Sequence, residues 1–229
     1  MIQNGHGQGC PFVGICACTN LTQAVLPDAL TELKPEMFSG CTGFARALVD
    51  GKVFTELQTV KGMFNDCTNL VTLEVTNDTF TQLNGTGHED GMTGMIDGCV
   101  KLADATFKGN NFTAAVKLEG LFRDEVGNSA VAEFAVDFSG NRFDALSSVD
   151  GWFSKAGDGG YEGISYLKDV NLSNNTYVVL KSMQGMLAGC EGLRRANLSG
   201  TVAPALENMS KLFMGDVKLA GFYGTLLLP

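Results

Sequence analysis

Basic charge is scarce in this chain. Lys and Arg total 16 against 25 Asp and Glu, a net charge of −9. Nucleic-acid phosphates and anionic membrane surfaces both reward a basic patch, so neither is expected as a partner. Charged residues of both signs make up only 18% of the sequence, below the usual ~25%. Long apolar runs are lacking too: none reaches the ~18 residues of a membrane-spanning helix, so no membrane insertion is expected. The N-terminal stretch MIQNGHGQGCPFVGICACTN has no Lys or Arg ahead of its apolar part and makes a poor signal peptide.

The groups that carry catalysis are equally sparse. The two histidines are His6 in NGHGQG and His88 in NGTGHEDG, and neither has a Ser or Cys nucleophile in a recognisable context. His88, Glu89 and Asp90 read either as a cation site or, more simply, as a solvated loop tip. GDGGYEG at 157–163 has the glycine content of a phosphate loop but lacks the Lys-Ser/Thr ending and the preceding strand. Asp124 and Glu125 are adjacent, whereas general acid/base chemistry needs carboxylates facing across a cleft. No catalytic residue, metal site or cofactor is therefore expected, and the chain is not expected to be an enzyme.

What is abundant is glycine, 29 residues, and apolar side chains, 45% of 229 residues. The apolar ones recur. An anchor returns at Phe38, Phe64, Ile96, Phe122, Phe153, Leu187 and Phe213, with gaps of 26, 32, 26, 31, 34 and 26 residues. One residue before it stand Met37, Met63, Met95, Leu121, Trp152, Met186 and Leu212. Four before it stand Val60, Met92, Leu118, Val149, Met183 and Met209. Apolar residues at −4, −1 and 0 have the spacing of one helical face and predict a short helical turn. At +9 and +11, Leu73 and Val75, Ala105 and Phe107, and Ala196 and Leu198 alternate as a strand does. After an insertion, Leu167, Val170 and Leu172 restore the same spacing behind Phe153. Such units cannot bury an apolar face alone, but stacking builds a continuous core. The expected fold is α/β: a leucine-rich-repeat solenoid of about seven units. A parallel β-sheet would form one face and short helical turns the other. Residues 1–20 would cap a single domain spanning 21–229.

The stretches MFNDCTNLVTLEV, MIDGCVKLADATF and MLAGCEGLRRANLSG resemble the 26-residue repeat of bacterial surface proteins. LTQAVLPDALTELKPEMFSGCTGF, at 21–44, resembles the related BspA-type leucine-rich repeat. Glu125, Ala156 and Asp216 depart from the pattern where it has Cys. The unit after Phe122 is irregular, with Phe134, Val136 and Phe138 alternating. The resemblance implies a surface-displayed or extracellular binding module without enzymatic activity, and it specifies no ligand.

Cys41, Cys67, Cys99 and Cys190 each lie three residues after an anchor, so they read as a structural ladder of buried thiols. A Cys41–Cys67 disulfide needs Cα atoms within ~7 Å. Cys10, Cys16 and Cys18 fall outside the register. They suit a disulfide-closed cap, a metal site with His6, or a buried cap with free thiols, the last being preferred. Seven cysteines cannot all pair within one chain.

Two insertions, near 123–133 and at 154–166, occupy equivalent places in consecutive units and are expected side by side on one edge. They make Arg123, Asp124, Glu125, Lys155, Asp158, Tyr161, Glu162 and Tyr166 candidate binding residues. Equally, insertions are tolerated at little cost and need do nothing. The insertion at 84–91 should emerge elsewhere. Trp152 reads as core, or as a contact residue if exposed. The Asn-x-Ser/Thr triplets at Asn77, Asn111, Asn171 and Asn197 read as polar strand-face residues. Outward positions Thr72, Glu74, Asp104, Thr106, Asp169, Asn171, Arg195 and Asn197 would line a sheet face able to hold an extended protein or glycan. Phe222, Tyr223, Leu226, Leu227 and Leu228 form an apolar C-terminal end with no polar cap, a candidate interface for a neighbouring subunit. Two readings of function remain: an interaction module for protein or glycan, and a structural subunit of a virion or other assembly.

Overall fold

The computed structural model describes residues 15–23, 35–83, 91–114, 118, 121–122, 133–157 and 160–224; for 155–157 and 160–161 it describes the backbone alone. Fourteen strands occur among them. They are β1 (Arg46–Asp50), β2 (Val53–Phe54), β3 (Thr72–Thr76), β4 (Thr79–Phe80), β5 (Asp104–Lys108), β6 (Asn111–Phe112) and β7 (Phe134–Asp137). Then come β8 (Arg142–Phe143), β9 (Ser154–Gly157), β10 (Gly160–Gly163), β11 (Leu167–Asn171), β12 (Thr176–Tyr177), β13 (Arg195–Asn197) and β14 (Gly221–Tyr223). Two sheets of stacked parallel strands result. The larger runs β1-β3-β5-β7-β11-β13-β14 and the smaller β12-β8-β6-β4-β2. Each pass of the chain thus adds one strand to the large sheet, and most add a two-residue strand to the small one. In the large sheet the register keeps equivalent residues opposite one another, with Leu73 on Ala105 and Val75 on Phe107. The alternating residues point inward, so Leu73, Val75, Ala105, Phe107, Phe134, Val136, Val170 and Ala196 are all buried.

The expected helical turns are not found. Among the described residues there is no helix, so the architecture there is parallel β and not α/β. The segment around each anchor instead forms two successive turns, each with a left-handed residue. These lie two before and two after the anchor: Gly62 and Asp66 about Phe64, Gly94 and Gly98 about Ile96, Gly185 and Gly189 about Leu187. A left-handed residue every fourth position is incompatible with a continuing α-helix. The backbone bonds run to the next pass instead. Val60, Gly62, Phe64 and Asp66 donate from N–H to the carbonyls of Gly91, Thr93, Met95 and Asp97 at 2.8, 3.3, 2.8 and 2.8 Å. Two successive turns bring residues −4, −1 and 0 to one side much as a helix does, which is why the apolar spacing misleads.

The corner between the two sheets is built from another recurrent element. A left-handed residue is followed by a buried polar one, then by a strand residue and an aromatic: Asn77-Asp78-Thr79-Phe80, Gly109-Asn110-Asn111-Phe112, Gly140-Asn141-Arg142-Phe143 and Asn174-Asn175-Thr176-Tyr177. The buried side chains form a ladder. Asp78 N–H donates to Asn110 Oδ1 at 2.9 Å, Asn110 N–H to Asn141 Oδ1 at 2.8 Å, and Asn141 N–H to Asn175 Oδ1 at 2.8 Å. The amides then donate to carbonyls in or just past the large-sheet strands: Asn110 Nδ2 to Val75 O at 2.8 Å, Asn141 Nδ2 to Phe107 O and Phe138 O at 2.7 Å each, and Asn175 Nδ2 to Leu172 O at 2.9 Å. Asparagine suits the place because one side chain is acceptor and double donor at once. Behind the ladder the rings of Phe54, Phe80, Phe112, Phe143 and Tyr177 stack with centroid spacings of 5.3, 5.0, 5.2 and 5.1 Å. Trp152 is core, set edge-on to Phe138 at 4.7 Å.

Asp78 breaks the ladder's chemistry. Its Oδ1 accepts from Lys52 N–H at 2.7 Å, but its Oδ2 is buried without a partner where an asparagine would present a donor. Burial pushes its carboxyl up to about 6. Because the folded value lies above the unfolded one, the protonated form stabilises the fold below about pH 4, and that contribution is lost as pH rises through about 6. Asp78→Asn is expected to raise stability at pH 8 by about 2 kcal/mol and to flatten this part of the pH dependence. Thermal melting at pH 5 and pH 8 checks it; an unchanged or lower melting temperature at pH 8 refutes it. Asn141→Ala, which removes the acceptor of the buried Asn110 N–H and a donor to the carbonyls of Phe107 and Phe138, is expected to cost about 3 kcal/mol in urea unfolding.

Candidate functional site

A cysteine carries chemistry only as an accessible thiolate. Cys41, Cys67, Cys99 and Cys190 are fully buried and free. Each donates its S–H to a carbonyl one pass back: Cys41 to Ile15 O at 3.0 Å, Cys67 to Phe38 O at 3.2 Å, Cys99 to Phe64 O at 3.1 Å, Cys190 to Phe153 O at 3.5 Å. The acceptors Phe38, Phe64 and Phe153 are anchor residues. Burial pushes the Cys67 and Cys190 thiols up to about 12, far from nucleophilic pH. The rungs brace the stack.

The ladder extends further than its spacing shows. Ile15 N–H donates to Met37 O at 3.1 Å and Ala17 N–H to Ser39 O at 2.7 Å, as later anchors do. Ala17 is left-handed, and Leu21 N–H returns to Cys18 O at 3.2 Å as Leu70 N–H does to Cys67 O. Ile15 is therefore an anchor and Cys18 a rung, inside the register and not outside it. The preferred cap of free thiols is corrected as well, since Cys16 is disulfide-bonded. Cys10 and His6 lie outside the described residues. At the other end Asp216 takes the rung position, with both carboxylate oxygens buried and unpartnered. Burial pushes its carboxyl up to about 7. The nearby amides of Gly189 and Cys190 offset little of this, being committed to Met214 O and Leu187 O.

Of the insertion-edge residues, Arg123, Asp124, Glu125 and Asp158 lie outside the described residues, as does His88 of the separate 84–91 insertion. β9 and β10 pair as an antiparallel hairpin, with the backbone of Lys155 opposite Glu162 and that of Tyr161 opposite Ala156. The hairpin projects between anchor Phe153 and Ile164, whose N–H returns to Phe153 O at 3.2 Å. Ile164, and not Ala156, thus fills the rung position of that pass. Glu162 is exposed, whereas Tyr166 is half-buried, its ring edge-on to Phe134 at 6.4 Å. At the C-terminal side Phe222 and Tyr223 are 47% and 59% exposed; Leu226, Leu227 and Leu228 lie outside the described residues.

The outward face of the large sheet holds a groove of about 370 Å³ across β5, β7, β11, β13 and β14. Two rows of outward side chains line it. One runs Asp104, Ala135, Asp169, Arg195 and the other Thr106, Asp137, Asn171, Asn197, Tyr223, each residue in register with the next. The concavity follows from side-chain size, because Ala135 is a gap between two aspartates. Arg195 is held flat by a two-pronged bond to Asp169, Nε at 2.5 Å and one Nη at 3.0 Å. Asn171 Nδ2 donates to Asp137 Oδ1 at 3.2 Å. Asp104, Thr106 and Tyr223 spend no side-chain hydrogen bond on the described residues. The expected sheet-face list contains most of these residues. It lacks Ala135, Asp137 and Tyr223, because β7 begins in an irregular unit and an alanine is visible as a gap only once its neighbours are known.

No family model matches the chain, and no curated protein matches it in sequence. Among the described residues no helix is long and apolar enough to cross a membrane, and no group of three or more His, Cys, Asp and Glu is gathered as a metal would need.

In the native chain the four buried thiols are expected to resist maleimide while half-buried Cys18 reacts, and all five to react in guanidinium. Mass spectrometry of the labelled chain reads the pattern; equal native labelling of all five would refute the ladder.

Proposed function

We propose that this protein is a non-enzymatic interaction module, displayed at a cell surface or outside the cell, that holds a protein or glycan on the outward face of its large sheet. The finer architecture belongs to the same proposal: a repeat solenoid akin to the BspA-type leucine-rich-repeat proteins, although its anchor segments are turns. One observation carries the reading. The groove is the place where open donors and acceptors, an exposed tyrosine and a concavity coincide. The buried thiols and the buried asparagine ladder are spent on the fold, so chemistry is not their use.

The test is to immobilise the whole chain and measure retention of mucin, collagen and neutral oligosaccharides. Ala135→Arg fills the groove from an outward position, so melting should not change. At least one of these probes is expected to be retained, and the substitution to weaken it about tenfold or more. Retention indifferent to Ala135→Arg, or no retention at all, removes the reading.

An assembly role is the second reading, supported by the last described pass. Val217 is 81% and Phe222 47% exposed, and β14 is the last strand of the large sheet among the described residues. Light scattering across concentrations decides: this reading expects oligomers that Val217→Lys disperses, and a monomer at every concentration discards it.

A further inference from the structure

Resting on the reading of the groove as the binding face, we propose that its ligand is a neutral oligosaccharide, held as one or two sugar rings across β7, β11 and β13.

The lining is net acidic, with Asp104, Asp137 and Asp169 against Arg195, so it disfavours an anionic ligand. Arg195 takes up Asp169 at the centre, which leaves Asp104 and Asp137 as the open acceptors for hydroxyl donors. An anion meets Asp104 and the free Oδ2 of Asp137, whose Oδ1 is occupied by Ser139 N–H at 3.0 Å and by Asn171. What remains open is a set of acceptors on the β5–β7 side and donors on the β13–β14 side. The acceptors are Asp104 and Asp137 Oδ2. The donors are Asn197 Nδ2, the outer guanidinium edge of Arg195 and the Tyr223 hydroxyl, while Asn197 Oδ1 is committed to Ser199 N–H at 3.0 Å and to its hydroxyl at 2.7 Å. A sugar hydroxyl donates once and accepts as well, so vicinal hydroxyls complement such a pairing, and each bond polarises the next.

Size and shape agree. From β7 to β13 is two inter-strand steps, about 10 Å, which spans one to two pyranose rings. The volume of about 370 Å³ lies at the small end of ligand sites. Tyr223 supplies the flat apolar surface that a sugar ring needs on one side. Its ring lies back over Gly221, so that a Cβ there would stand 3.3 Å from a Tyr223 ring carbon and 3.5 Å from Arg195 Cγ. The ring is thereby laid along the strand while 59% of the residue remains exposed.

The experiment titrates cellotetraose, maltotetraose, chitotetraose and mannotetraose into the whole chain by calorimetry, with a lysine oligomer and a glutamate oligomer alongside. At least one tetrasaccharide is expected to bind, with an affinity that changes little between low and high salt because the ligand carries no charge. Asp104→Ala and Tyr223→Ala are each expected to weaken it about fivefold or more, and Ala135→Leu to abolish it. Arg46→Ala, on the same face but away from the groove, should leave it unchanged. All four substitutions are outward, and unchanged melting curves separate lost binding from lost folding. Absence of binding by every tetrasaccharide, or binding that survives Ala135→Leu, overturns the proposal. If the lysine oligomer or collagen binds in an Ala135-dependent way and no sugar does, the sugar assignment falls while the binding face stands. If nothing depends on Ala135, both fall.

Discussion

Parallel stacking at about 4.8 Å per strand is the constraint on which this structure rests. At that spacing each buried side chain lies against the one holding the same place in the next pass, so whatever fills a buried position must be compatible with itself. Phenylalanine stacks on phenylalanine from Phe54 to Phe143, and asparagine bonds to asparagine from Asn110 to Asn175. A cysteine thiol reaches back to the carbonyl of the preceding pass. Each solution closes its hydrogen bonds internally, which a buried polar group requires. Where a carboxylate enters a ladder, at Asp78 and Asp216, the set fails to close, and burial raises both carboxyls toward neutrality.

The outward face obeys the same spacing with the opposite result. Like charges directly across adjacent strands repel, and no two like charges face each other in the rows on the large sheet. Arg46 lies opposite Thr72, Thr72 opposite Asp104, Asp104 opposite Ala135, and Asp169 opposite Arg195. Ala135 keeps Asp104 apart from Asp169 and in doing so leaves the groove. A concavity with mixed polar walls thus arises on the one face where self-stacking is penalised, while the core is occupied by ladders that leave no open donor for a ligand.

Much of this was legible in the residues. The anchors, the inward pairs such as Leu73 and Val75, the cysteine spacing and the outward residues Asp104, Asp169 and Arg195 all follow from position in the repeat. Three things did not. The anchor segments read as helical because two turns and one helical turn bring the same residues to one side. Only the pass-to-pass bonds of Val60, Gly62, Phe64 and Asp66 separate them. The glycines at Gly62, Gly94, Gly98, Gly185 and Gly189 were the available signal, since left-handed residues at fixed offsets end helices. The second sheet is not legible although its motif recurs as NDTF, GNNF, GNRF and NNTY, because two-residue strands are too short to show alternation. Spacing alone leaves Cys18 outside the register because the gap from Ile15 to Phe38 is shorter than the repeat.

The sequence by itself determined that the chain repeats, which side chains are buried, and that cysteine serves packing. These depend on periodicity, and a periodic stack turns spacing directly into neighbours. Only the tertiary structure decided that the turns are not helices, that asparagines and aromatics form a second wall, and that Ala135 opens a groove beside Arg195 and Tyr223. Each of those depends on which strand lies beside which. The insertions shift that pairing by unequal numbers of residues, so the neighbours across β5, β7, β11 and β13 are fixed by hydrogen bonds between passes and not by distance along the chain.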